Sequence, residues 1–279
     1  MKVVLGIDIG GSTTKIAGFD GDRMLLPVQI TASNAIASLY GAFGKFLYDN
    51  KLELSDVEQV NLTGVGSSAI DKAIYGLPTF LVDEFTANGV GGGYFAEGRK
   101  EFVVVSMGTG TSYVGVKNGV PTHLGGIGIG GGTIIGLSKF LLNTNEIDKI
   151  LELASMGNVK NIDLTIGDIS HNPLPGLETE ITASNFGKAR YSACIEDKAA
   201  GLVHMVIEDI CQTASLIAHG RDIKSIVLIG ALTNFPQCKD VCAMEKVLFP
   251  ELEFLIPEDG EYATAIGTAL AKKCELKRI

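Results

Sequence analysis

The stretch GIDIGGSTTK, residues 6–15, decides how this chain folds. Its left flank, from residue 3 to residue 9, is apolar and mostly β-branched; Gly10 and Gly11 interrupt it, and an extended pattern resumes over residues 13–19. That order reads as strand, tight turn, strand. Two glycines impose no Cβ where the chain bends, so consecutive backbone N–H groups can point at one place. Ser12 and Thr13 add hydroxyl donors, Lys15 a cation, and Asp8 a carboxylate suited to holding Mg²⁺ through water. The set fits the polyphosphate of a nucleotide, although an ordinary Gly-Gly hairpin with a surface lysine carries the same letters.

Two familiar nucleotide signatures do not fit. A P-loop ends in Lys-Ser/Thr and runs into a helix, whereas Lys15 lies inside the next strand. A dinucleotide fingerprint also needs a helix after its glycines, and STTKIAGFD, with two threonines and a glycine, opens one poorly.

The 279 residues suffice for two modest lobes or one large domain, and 46% hydrophobic with 20% charged residues indicates a folded globular chain. No apolar run reaches the roughly 18–20 residues of a membrane span. Asp8 interrupts the N-terminal apolar segment and no small-residue cleavage site follows, which argues against a secretory signal and for a cytoplasmic location. Five irregularly spaced cysteines argue against a disulfide framework and for a reducing compartment. Cys238 and Cys242 are the closest pair but have no second pair or nearby His to complete a metal site. A net charge of −9 disfavours nucleic acid and anionic membranes as partners.

Periodicity divides the chain into lobes at 1–98 and 99–279. In the first, a strand is expected at 24–31, a helix at 34–49, a strand at 57–62, a short helix at 67–74, a strand at 79–82 and a helix at 83–95 behind an acidic cap. Residues 102–106 then open a second strand–turn–strand unit, VVVSMGTGTSYVGVKNG, an internal echo of the first. Duplication would set two hairpin loops across a cleft, gripping opposite sides of one phosphate chain. LGGIGIGGGTIIGLSKFLL (124–142) is a glycine-dense loop leading into a helix opened by Gly130, Gly131 and Gly132, whose free N–H groups suit phosphate or ribose oxygens. A helix is expected at 145–154, an exposed loop at 167–176, a long helical segment at 184–218 broken near 199–201, a buried strand at 225–229 and a final helix at 262–272 after EDGEY.

In order along almost the whole chain, these segments resemble type II pantothenate kinase, of the acetate-kinase, sugar-kinase, Hsp70 and actin superfamily. GIDIGGSTTK resembles the family's first phosphate loop, VDEFTANG its catalytic-glutamate context, SMGTGTS its second loop, and HLGGIGIGGGTIIGLS its RVGG-x-GGG-T-x-x-GL segment. NIDLTIGDI, TASNFGKA, VLIGALTN and GEYATAIGTAL resemble its later landmarks. The implied fold class is α/β: a duplicated actin-like ATPase (ribonuclease H-like) fold of two lobes with an interlobe nucleotide cleft. The implied reaction transfers the ATP γ-phosphoryl group to the primary hydroxyl of pantothenate, giving 4′-phosphopantothenate, the first step of coenzyme A synthesis.

Carried over residue by residue, the resemblance makes Glu84 the general base and Asp83 its helix cap. It implies ATP contacts from Asp8, Ile9, Gly10, Gly11, Ser12, Thr13, Thr14 and Lys15 on one side and Thr109 opposite. Further ATP contacts are implied at Gly131, Gly132, Thr133, Ile134, Ile135, Ile147 and Ala231, the last replacing a serine typical of the family. Asp8 is the implied Mg²⁺ partner through water, and Ser106, Ser112, His123 and Gly126 the implied pantothenate contacts. Much of the family has arginine where His123 stands; histidine presents no fork of donors and is only partly charged at neutral pH. That substitution bears on substrate affinity and on feedback by CoA or acyl-CoA. His171, His204 and His219 have no motif around them and read as surface or core residues. The resemblance also implies a homodimer built on the long helices of the second lobe, though an intramolecular core would use the same residues.

Three rivals share the superfamily's start. Activators of 2-hydroxyacyl-CoA dehydratases hold an iron–sulfur cluster through mid-chain cysteines, and this chain has none before Cys194. Sugar or N-acetylglucosamine kinases use an aspartate base in a different loop, often with a zinc motif, and neither is visible. A catalytically silent nucleotide-binding module would not need both Lys15 and Glu84.

Overall fold

The structure, a computed structural model, describes residues 2–31, 34–170, 172 and 178–279. His171 and half of the loop expected at 167–176 lie outside the described residues. The first half contains β1 (Val3–Ile9), β2 (Thr13–Asp20), β3 (Arg23–Met24), β4 (Val28–Thr31), α1 (Ala35–Asp49), β5 (Val57–Thr63), β6 (Thr79–Leu81) and α2 (Glu84–Phe95). The second contains β7 (Glu101–Met107), β8 (Thr111–Lys117), β9 (Val120–Ile127), α3 (Gly131–Leu141), α4 (Ile147–Met156), β10 (Leu164–Thr165) and α5 (Ile166–Ile169). It continues through β11 (Thr182–Ser184), α6 (Ile195–Gly220), β12 (Ser225–Ile229), α7 (Gln237–Leu248), β13 (Glu253–Leu255), α8 (Ala263–Leu270) and β14 (Lys277–Arg278).

The two sheets share one strand plan, the first being completed at its edge by β14 from the end of the chain. The first runs β14-β6-β5-β1-β2-β3 with β4 also on β2; the second runs β13-β12-β7-β8-β9. In both, a three-strand antiparallel meander is extended on one side by two parallel strands. This is the duplication that the echo between residues 6–19 and 102–118 implied.

Strand alternation sorts each sheet into a core face and an interlobe face. On β1, Val3, Leu5, Ile7 and Ile9 are fully buried with Leu39, Phe43 and Phe46 of α1. On β7, Val103, Val105 and Met107 join a core with Leu202, Val206 and Ile210 of α6. The opposite faces meet two crossing helices. Phe85 and Phe95 of α2 pack with Phe102, Val104, Val114 and Val116 of the second sheet, while Ala265, Ile266 and Ala269 of α8 pack with Ala17 and Phe19 of the first. Each sheet is therefore covered by a helix from the other half of the sequence.

Glycine makes that crossing possible. A Cβ on Gly91 would stand 1.9 Å from the Ala263 carbonyl, and one on Gly267 would stand 1.9 Å from the Ala87 carbonyl. Backbone approach this close admits no side chain.

Several expectations change. The strand expected at 24–31 is split into β3 and β4, separated by Pro27, which cannot donate to a ladder. The helix at 67–74 is instead two 3₁₀ turns, Val65–Ala69 and Ile74–Gly76. Residues 124–127 belong to β9, so the glycine loop before α3 is shorter than its composition suggests. The start of the 167–176 loop is helical in α5. The break expected at 199–201 is absent: α6 runs unbroken for 26 residues, with Ala199, Ala200 and Gly201 buried where Ile162 and Phe186 approach. By length and composition α6 also meets the requirement for crossing a membrane, which the sequence reading missed; here it is the central core helix of the second lobe, packed against α3, α4 and α7. Its apolar face is thus largely spent on the intramolecular core rather than left for a partner.

Candidate active site

Both hairpins turn chemically active side chains toward the interlobe face. Asp8 and Lys15 are direct cross-strand partners on β1 and β2, on the face opposite Ile7 and Ile9, and Thr63 of β5 lies in register beside Asp8. On the second sheet, Ser106, Ser112 and Gly126 are register partners in a row across β7, β8 and β9. His123 is the register partner of Val114, and its ring stacks on Phe85 with centroids 3.8 Å apart and planes 20° apart. His123 thereby lies against the first turn of α2, which Glu84 opens.

Asp83 caps that turn, its Oδ1 accepting from the Phe85 N–H at 3.1 Å and the Thr86 N–H at 3.0 Å. The cap frees Glu84 from a structural duty and leaves its side chain open to the cleft. Even so, partial burial by the cleft walls, followed by the neighbouring Asp83 charge, raises the Glu84 carboxyl above its ordinary range. Burial also pushes Asp8 up from 3.8 to about 6; Lys15 opposes the shift and the Glu84 charge adds to it. Lys15 is only 6% exposed, and its Nζ donates to the Glu261 main-chain carbonyl at 2.9 Å. Burial lowers its ammonium group, with Asp8 and Glu261 opposing.

The hairpin tips are held differently. The Gly10 N–H closes the first turn on the Thr13 carbonyl at 3.0 Å, leaving Gly11 and Ser12 exposed at the tip. In the second, the Gly108 N–H donates to the Gly110 carbonyl at 2.9 Å, and the loop docks onto the start of α3. The Gly131 N–H donates to Gly108 at 2.8 Å and the Gly132 N–H to Thr109 at 2.9 Å, while Thr133 and Ile134 donate to Gly130. This corrects the expectation of free N–H groups there: the α3 terminus is used to shape the Thr109 loop. The glycines are required because a Cβ on Gly132 would meet the Thr109 carbonyl at 2.9 Å.

A chain of contacts brings the two loops to one cleft. Gly230, at φ 95°, packs against the Met107 backbone beside the second loop, and its N–H donates to Gly260 at 2.9 Å. Gly260 precedes Glu261, which receives Lys15. Ala231 is exposed on the turn that follows Gly230. Ile9 and Ile134 are fully buried core residues whose side chains cannot reach a ligand, and Thr14 is equally buried. Ile135 and Ile147 are half-buried on α3 and α4.

The Thr63 hydroxyl is buried without a hydrogen-bond partner. With Asp8 on the same face, it forms a donor set suited to a cation reached through water. Among the described residues no three His, Cys, Asp or Glu side chains converge for direct chelation.

Sequence reasoning missed Phe85 as the partner of His123, Thr63 and Gly64 beside Asp8, and the Glu261 carbonyl. Gly64, at φ 85°, leaves no room for a Cβ, which would lie 2.5 Å from Asp8 Oδ1. The Thr63-Gly64 punctuation and EDGEY were the available signals, but neither predicts contacts made tens to hundreds of residues away.

The Fumble family model matches residues 95–244. A type II pantothenate kinase of Bacillus cereus (strain G9842) is 30% identical, with 97% of this chain and 98% of the relative covered. Among solved structures, the activator of the 2-hydroxyisocaproyl-CoA dehydratase from Clostridium difficile with bound ADPNP superimposes at a TM-score of 0.68, with 16% identity and 96% and 93% coverage. A ROK family glucokinase from Streptomyces griseus in complex with glucose and AMPPNP gives 0.60, with 14% identity and 96% and 98% coverage. The structural likenesses show the fold, a duplicated actin-like ATPase architecture. The sequence matches carry the closer relationship: this chain belongs to the Fumble family, the type II pantothenate kinases.

Proposed function

We propose that the protein phosphorylates pantothenate at its primary hydroxyl with ATP, Glu84 acting as the general base. The observation that supports this reading is Glu84 at the head of α2, where its charge acts on Asp8, the partner of Lys15, and the next residue, Phe85, stacks on His123. Phosphoryl transfer asks mainly for positioning and charge stabilisation. Lys15 and the exposed hairpin tip supply positive charge and donors for the β- and γ-phosphates, with Thr109 opposite. Burial, and then the Asp83 charge, raise the Glu84 carboxyl and so make it a stronger base toward the acceptor proton. Asp8 and Thr63 would hold Mg²⁺ through water, and the ion would offset phosphate charge.

His123 lines the acceptor side and would meet the pantothenate carboxylate; the same place would admit a CoA or acyl-CoA feedback ligand. Two copies would associate through what α6 leaves exposed, such as Leu216, 57% exposed; light scattering on the purified protein tests that part. A phosphorylation assay over pantothenate, pantetheine and N-acetylglucosamine, with Glu84→Gln alongside, tests the reaction. Pantothenate-dependent ADP release that vanishes in the variant, with ATP affinity within a few-fold, supports it. Full turnover by Glu84→Gln refutes the base, and ATP binding without turnover on any acceptor favours a silent module. An iron chromophore on purification would revive the activator reading.

A further inference from the structure

Asn88 is fully buried on α2, one helical turn beyond Glu84, where α2 crosses α8. Its Oδ1 accepts the Thr264 hydroxyl at 2.8 Å, tying α2 to α8. Its amide nitrogen is buried and, among the described residues, has no hydrogen-bond partner. A buried donor without an acceptor is costly, and alanine at this site would avoid that cost. Helical Cα–Cβ bonds tilt toward the N-terminus, so the Asn88 side chain lies over the turn that carries Glu84. Residues four apart on a helix are neighbours, and amide–carboxylate pairs at that spacing form hydrogen bonds.

We propose that Asn88 is a positioning residue whose amide N–H donates to the Glu84 carboxylate when substrates occupy the cleft, fixing the rotamer of the base and linking it through Thr264 to α8. The inference rests on Glu84 being the base and goes beyond it by naming what aims it. The charged groups around Glu84 are Asp83 on its own helix, Asp8 and behind it Lys15 on the first hairpin, and the titratable His123 across Phe85. Among the described residues neither Lys15 nor His123 forms a hydrogen bond or ion pair with the Glu84 carboxylate, which leaves room for a neutral donor from its own helix. Thr264 and α8 also carry the chain back to Glu261, the acceptor of Lys15. The base and the phosphate-binding lysine would thus be set by one framework.

The test is the pH profile of kcat/KM in Asn88→Ala and the near-isosteric Asn88→Asp. Loss of a hydrogen bond to a charged group should lower kcat about 10- to 100-fold. The acid limb should rise by about one pH unit, more in Asn88→Asp because it adds a like charge. The KM for ATP should hold steady. Thr264→Val, which removes the contact to α8 but leaves the amide in place, should move the acid limb clearly less than either Asn88 variant. An unmoved limb in both Asn88 variants, or an equal shift in Thr264→Val, overturns the inference and assigns Asn88 to helix packing alone. Glu84→Gln separates the two levels. If that variant is active, the base assignment itself falls; if it is dead while the Asn88 limbs stay put, only the present inference falls.

Discussion

His123 and Phe85 lie nearly parallel with ring centroids 3.8 Å apart, so the residue beside the candidate base is also the platform for the imidazole. The stack fixes the imidazole plane but leaves it a single-point partner for a carboxylate. His123→Ala should raise the KM for pantothenate about 10-fold, the equivalent of one modest polar contact, with the KM for ATP unchanged. His123→Arg should tighten inhibition by acyl-CoA. Unaltered inhibition in the arginine variant would remove His123 from the acceptor pocket.

Asp8 makes stability depend on pH in a defined direction. Its carboxyl titrates near 6 in the fold against 3.8 ordinarily, so the native state favours the proton. The contribution is fully present below 3.8 and is lost as pH rises through about 6. At 1.36 kcal/mol per pH unit, the ceiling is about 3 kcal/mol. Asp8→Asn should flatten the nucleotide-free stability profile between pH 4 and 7 by up to that amount while abolishing turnover. Urea unfolding at both ends of the range measures it, and parallel profiles would contradict it.

His204 works in the opposite chemical sense. Burial disfavours its charge, but the 2.9 Å contact with the buried Asp163, assisted by Glu208, outweighs burial and raises the imidazolium above its ordinary 6.5. That stabilisation is complete below 6.5 and fades as pH passes the higher folded value. His204→Ala should cost about 1–3 kcal/mol by unpairing a buried carboxylate, and more at pH 6 than at pH 9. Denaturation midpoints at the two values decide it; equal losses would mean that the charge is irrelevant.

Gly267→Ala should be among the most damaging substitutions in the chain. The added methyl would stand 1.9 Å from the Ala87 carbonyl and 2.4 Å from the Gly91 nitrogen, forcing α2 and α8 apart. Overpacking of a fixed backbone contact costs about 1–3 kcal/mol and occasionally more. Gly136→Ala, with no atom within 4 Å of the added carbon, is the control and should leave the unfolding midpoint near wild type. Similar midpoints for the two variants would mean that the helices slide freely.

Much of the fold was legible because its signals are local. Gly10-Gly11 between β-branched runs marks a hairpin whatever surrounds it, and Asp83 before Glu84 marks a helix start. The duplicated sheet followed from repeating that hairpin signal near Gly108 and Gly110. What stayed hidden depends on partners distant in sequence. Gln237–Leu248 carries a weak helix signal because its buried residues, Cys238, Val241, Cys242 and Glu245, include a carboxylate whose partner, Ser215 at 2.6 Å, is distant in sequence. The α3 terminus was misread for a related reason: its glycines signal open N–H groups, and nothing local says that Gly108 and Thr109 consume them. Phe85 reads as a core aromatic until His123 is found lying on it.

The exchange of covering helices has a bearing on biogenesis. β14 pairs with β6, and α8 shields β1 and β2, so the first-made sheet gains its edge strand and its cover only from residues 263–278. Translation proceeds in one direction, and a ribosome that has emitted the entire first hairpin still holds the pieces that shelter it. Nascent chains arrested before residue 263 should therefore expose the Gly6 and Ala17 surface to protease or chaperone, and acquire resistance in a single late step once the distal segment emerges.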